Sequence, residues 1–129
     1  MNTTTMVKKQ RLTQEDYKFL QEQAIRTLKG KFTSTLGNRK DKVDIYLISQ
    51  GNQIPTQVYI VSSWQNDVFP FPELTLPDTR VAEIQRGAVA LFNRDLTRFI
   101  LIMPQNIAGI SPVNGKLIIP LNRITIRQV

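Results

Sequence analysis

The cations Lys29, Lys31, Arg39, Lys40 and Lys42 are the densest set of side chains in this sequence able to do chemistry, and that chemistry is anion contact. Placed at the end of a helix and in the loop after it, they could meet successive phosphates, which fix position without reading base sequence. Residues 1–42 hold ten of the 17 basic residues and four of the 10 acidic ones, so they carry +6 of a formal net charge of +7. An excess so placed points to a polyanion, DNA or RNA, or to an acidic protein surface. Arg123 and Arg127 would extend the surface if the last strand lay nearby. Against this, Lys29 and Lys31 also suit the negative end of a helix dipole, and a solvated charged face needs no partner.

Most catalytic chemistry is closed to the chain. It has no histidine and no cysteine, which removes the usual neutral-pH proton shuttle, the commonest metal ligand and the thiolate nucleophile together. The glycine-rich phosphate loops are missing too. An oxygen-only magnesium site needs neither residue. Pro77-Asp78 with Glu83-Ile84-Gln85 approaches the Pro-Asp and Glu-x-Lys pattern of metal-dependent nucleases, but the spacing is short and Gln85 stands where the lysine should be. Asp16-Tyr17-Lys18 has the acidic-x-Lys spacing yet precedes any Pro-Asp. Ser62-Ser63 follows a strand with no base beside it, and Tyr17, Tyr46 and Tyr59 read as packing residues. The sequence predicts no enzyme, no cofactor and no metal.

The aromatic residues give a second kind of candidate. Phe69 and Phe71 alternate with Pro70 and Pro72, which remove backbone donors and keep the segment extended. Such rings could stack on bases, anchor a protein partner, or mediate self-association. At least one of them is expected to be exposed, and Trp64 is expected in the core.

The elements that must position these residues follow from periodicity. Thr13 caps a helix from about Gln14 to Leu28, with Tyr17, Leu20, Ala24 and Leu28 as its apolar stripe, widened by Phe19 and Ile25. A charged loop over 37–42 precedes alternating strands at Val43–Ser49 and Thr56–Ser62, joined through a loop over Gln50–Pro55. Trp64–Pro77 is irregular. Asp78–Arg94 reads as a helix on the stripe Val81, Ile84, Ala88, Leu91 and Phe92; Gly87 supports a competing reading in which Ala88–Phe92 is a strand hairpinned to Leu96–Met103. A long loop over Pro104–Gly115 leads to short strands at Lys116–Ile119 and Asn122–Val129.

These elements predict an α+β fold: an N-terminal helix packed on a mainly antiparallel sheet, with a second helix. Residues 12–129 form one domain, and Met1–Arg11, polar and threonine-rich, forms a mobile tail. The longest apolar run, Phe99–Met103, is far short of a membrane span, and no secretory leader is evident, so a cytoplasmic protein without a membrane partner is expected. The function expected is a non-catalytic, basic nucleic-acid-binding accessory or regulatory protein. Its alternative is a protein-interaction or assembly module using the Phe69–Pro72 segment or an exposed sheet edge.

Overall fold

Thr13 starts the first helix as its chemistry dictates. Its Oγ1 accepts the Asp16 N–H at 3.0 Å, Glu15 and Asp16 lie in the first turn, and Lys29 and Lys31 in the last. The resulting α1 (Gln14–Lys31) buries Ala24 and Leu28. Phe19 does not widen the stripe; it is 60% exposed. The computed structural model describes residues 11–129, so the tail expected over Met1–Arg11 lies, apart from Arg11, outside the described residues.

Three antiparallel strands follow: β1 (Ser34–Asn38), β2 (Val43–Ser49) and β3 (Asn52–Val61). The loop expected over Gln50–Pro55 is a two-residue turn instead. Gln50 and Gly51 adopt φ of 52° and 80°, and Ser49 already pairs with Asn52. Pro55 is therefore inside a strand. It faces Tyr46, and because it cannot donate, the two-way bonded pairs of this ladder are those on either side of it. Its missing N–H points toward β5, which begins only opposite Thr56.

The chain then makes β4 (Glu73–Pro77) and α2 (Asp78–Arg86) before returning to the sheet as β5 (Ala88–Asn93), parallel to β3. Each reading of Asp78–Arg94 holds for half of the segment. The helix stops at Arg86, and a Cβ at Gly87 would sit 2.1 Å from the Pro55 carbonyl oxygen, so only glycine allows this approach. Ala88, Leu91 and Phe92 leave the helical stripe and become strand residues. β5 turns back into β6 (Arg98–Ile102), with buried Asn93 accepting the N–H groups of Thr97 and Arg98, both at 2.9 Å. The short α3 (Pro104–Ile107) occupies part of the expected long loop. Then come β7 (Lys116–Pro120), a helical turn at Leu121–Arg123, and β8 (Ile126–Gln128).

The large sheet has the order β1-β2-β3-β5-β6-β8, with one parallel pair, and β4 and β7 form a separate antiparallel ribbon. The fold is α+β. Alternation along the strands makes two cores. Ile45, Leu47, Val58, Ile60, Ala90, Phe92 and Phe99 meet α1 on one face. Val89, Leu91, Ile100 and Ile102 meet Trp64, Phe69, α2 and the β4–β7 ribbon on the other. No described helix is long and apolar enough to cross a membrane.

Candidate functional site

The basic residues fall into two groups. Lys29 and Lys31 end α1, whereas Arg39, Lys40 and Lys42 occupy the turn at the far end of β1. A strand of five residues separates the two groups, roughly 17 Å at about 3.3 Å per residue. Arg127 lies on β8, at the opposite edge of the sheet from β1 and so away from the turn, but its cross-strand neighbour Phe99 packs edge-on to Phe32, the residue after Lys31. Within the turn, Asn38 Oδ1 accepts the Lys40 N–H at 2.8 Å, the Lys42 N–H donates to the Arg39 carbonyl at 3.1 Å, and the Gln57 amide donates to the Lys42 carbonyl. Arg39, Lys40 and Lys42 form no ion pair among the described residues.

The nuclease-like pattern does not converge. Asp78 and Glu83 are five residues apart on α2, about 140° around its axis. Glu83 is already engaged: the Tyr59 hydroxyl lies 2.9 Å from both of its oxygens, and Arg80 pairs with it at 3.0 Å. The Arg80 guanidinium also sits 3.8 Å from the centre of the Tyr59 ring. Burial, then the hydrogen bond and charge of Glu83, push the Tyr59 hydroxyl far above its ordinary pKa, with Arg80 opposing. It stays a neutral donor. Burial likewise raises the nearby Asp44 carboxyl, against the Val58 N–H that it accepts at 2.8 Å.

This polar corner borders an open groove of about 630 Å³. One wall is the outer edge of β3. β2 begins at Val43, so the end of β3 has no strand beside it there, and side chains take its backbone groups instead. Asp44 accepts the Val58 N–H, Gln21 donates to the Val58 carbonyl at 2.7 Å, and the Tyr17 hydroxyl accepts the Ile60 N–H at 3.1 Å. α1 thus closes that edge.

The other wall is β4, whose second edge is open among the described residues, where β4 pairs with β7 alone. Glu73 faces Pro120 and Pro77 faces Lys116, and neither proline can donate. The two-way bonded pairs of this ladder are therefore Leu74 with Ile119 and Leu76 with Leu117, since such pairs alternate. The N–H and C=O groups of Glu73 and Thr75 consequently point away from β7, toward the groove that all five β4 residues line.

Phe69 and Phe71 meet the same groove differently. Phe69 is 7% exposed, edge-on to Trp64 at 5.3 Å, while Phe71, edge-on to Phe69 at 5.6 Å, is 44% exposed. Three rings thus run from the core to the groove mouth. Trp64 is buried in the core as expected.

An exposed sheet edge was a candidate from the sequence, without its being assigned to β4, and the Tyr59–Arg80–Glu83 corner was not among the candidates. The first had a signal: Leu74 and Leu76 alternate with Glu73 and Thr75 between prolines, a short edge-strand pattern. The second had none, because its members lie on separate elements. Comparison with known proteins adds no family. No family description matches the chain, and neither the curated proteins nor the solved structures contain a significant match.

Proposed function

We propose that this protein is a non-catalytic interaction module that receives an extended segment of a partner protein in the groove between α1, β3 and β4. The observation that carries the reading is the open edge of β4, whose backbone groups face an apolar groove of a size suited to several side chains. Phe71 supplies a half-exposed anchor that Pro70 and Pro72 hold in place, so little conformational freedom is lost when a partner covers it. Selection of random seven-residue peptides on the purified protein tests this. Binders should be recovered, and Phe71→Ala should weaken them by about 2 kcal/mol. A selection that enriches nothing, or binders indifferent to Phe71→Ala, would contradict it.

A second reading is favoured by the three unpaired cations gathered on one exposed turn. Arg39, Lys40 and Lys42 could contact phosphates of DNA or RNA, with Lys29 and Lys31 as a second group at the other end of β1. Three phosphates neutralised would give a log–log salt dependence of about −3 for duplex DNA, which alanine at the three positions should remove. No mobility shift at low salt would exclude it.

A further inference from the structure

A strand edge that presents alternating donors and acceptors is complementary to another strand, and the groove along β4 presents two of each. The N–H and C=O groups of Glu73 and Thr75 face it, while Pro77 has no donor to add. An antiparallel segment in register with Glu73 and Thr75 would engage all four groups. Side-chain direction then follows from the pleat. Leu74 and Leu76 are buried and Glu73 and Thr75 exposed, so residues opposite the leucines point inward and residues opposite Glu73 and Thr75 point outward.

Charge sets one further position. Among the described residues, the charged ones lining the groove are Arg80 and Glu73. Arg80 is neutralised by Glu83, whereas Glu73 forms no ion pair among the described residues. In a protein with a net charge of +7, the groove therefore keeps a local negative charge at one end of β4.

We infer that the groove binds its partner by strand addition to β4. The segment it takes has apolar residues opposite Leu74 and Leu76 and a lysine or arginine opposite Glu73. This rests on the groove reading above and specifies its occupant. The opposed charges account for register, since a one-residue slip would turn the apolar residues outward.

The experiment uses the full chain and the peptides recovered from a randomised seven-residue library. The recovered sequences should alternate apolar residues and carry a lysine or arginine at one end of the alternation. Thr75→Pro, which deletes an outward N–H that β7 does not use, should weaken the best peptide at least tenfold. Methylating the backbone nitrogens on the peptide's pairing edge should do the same without altering the protein, which covers the case of a variant that fails to fold. Glu73→Lys should weaken binding several-fold, and exchanging the peptide's cation for glutamate should restore it. Peptides that need Phe71 but tolerate Thr75→Pro and backbone methylation would overturn strand addition and leave the groove reading standing. Peptides without a cation preference that ignore Glu73→Lys would overturn the charge assignment. Recovery of no peptide would overturn both readings.

Discussion

The two faces of the large sheet are covered by different kinds of lid. On one, α1 lies over Ile45, Val58, Ile60, Phe92 and Phe99 as a single helix whose backbone bonds are internal. On the other, the cover is assembled from α2, the β4–β7 ribbon, and Trp64 and Phe69 from a connecting loop. A helix used as a lid has no free backbone edge, but a two-stranded ribbon must have one on each side. The second face is open because of the element that covers it. It does not lack apolar residues: Trp64, Leu91, Ile100 and Ile119 are all buried there.

The sharpest way to break this comparison is at the aromatic rings. Phe92 is fully buried under α1, and Phe92→Ala should cost about 3–5 kcal/mol in chemical denaturation. Phe69, 7% exposed, should behave the same way. Phe71→Ala should cost only about 1 kcal/mol of stability, since its ring is already partly in water, while peptide affinity falls. Equal stability losses at Phe69 and Phe71 would make both rings part of one closed core.

A smaller effect is expected at the cap of the closed lid. Thr13→Ala removes the acceptor of the Asp16 N–H and should lower stability by about 1 kcal/mol, measured by denaturation. No change would mean that the first turn of α1 holds without its cap.

The smallest expected effect is a pH dependence at Asp44. Burial raises its carboxyl above the ordinary 3.8, the charge of Glu83 adds to this, and the Val58 N–H opposes it. The folded state therefore holds this proton more tightly than the unfolded chain does. The stability linked to it is fully present below about pH 3.8 and is lost as pH rises through the folded value. Asp44→Asn should flatten that part of the stability–pH curve, while its amide oxygen can still accept the Val58 N–H. A variant curve parallel to the wild type would assign the dependence to other groups.

Local signals made the first face legible in the sequence. Thr13, the stripe Tyr17-Leu20-Ala24-Leu28 and the alternation of Val43–Ser49 each specify their element without help from distant residues. The second face was less legible because its parts are local compromises. Gly87 looks like a cost inside a helix, but it is the close contact with Pro55 that ends the helix and begins a strand. Pro77 looks like a strand breaker, but it sits where an edge strand needs no donor and where α2 begins. Among the candidate site residues, Phe69 and Phe71 were readable from their prolines, though not which of the two faces the groove. The basic residues were readable as charges; their separation by β1 was not, because β1 itself carries a weak strand pattern, Ser34-Thr35-Leu36-Gly37-Asn38.

Amide hydrogen exchange along β4, residue by residue, tests most directly whether that edge is open to a partner. In the free protein, Leu74 and Leu76 should exchange slowly because their N–H groups are bonded to β7, while Glu73 and Thr75 exchange fast. Addition of a selected peptide should slow Glu73 and Thr75 and leave the leucines unchanged. Glu73 and Thr75 already as slow as Leu74 and Leu76 in the free protein, or still fast when the peptide is bound, would contradict an edge that completes itself with a partner strand.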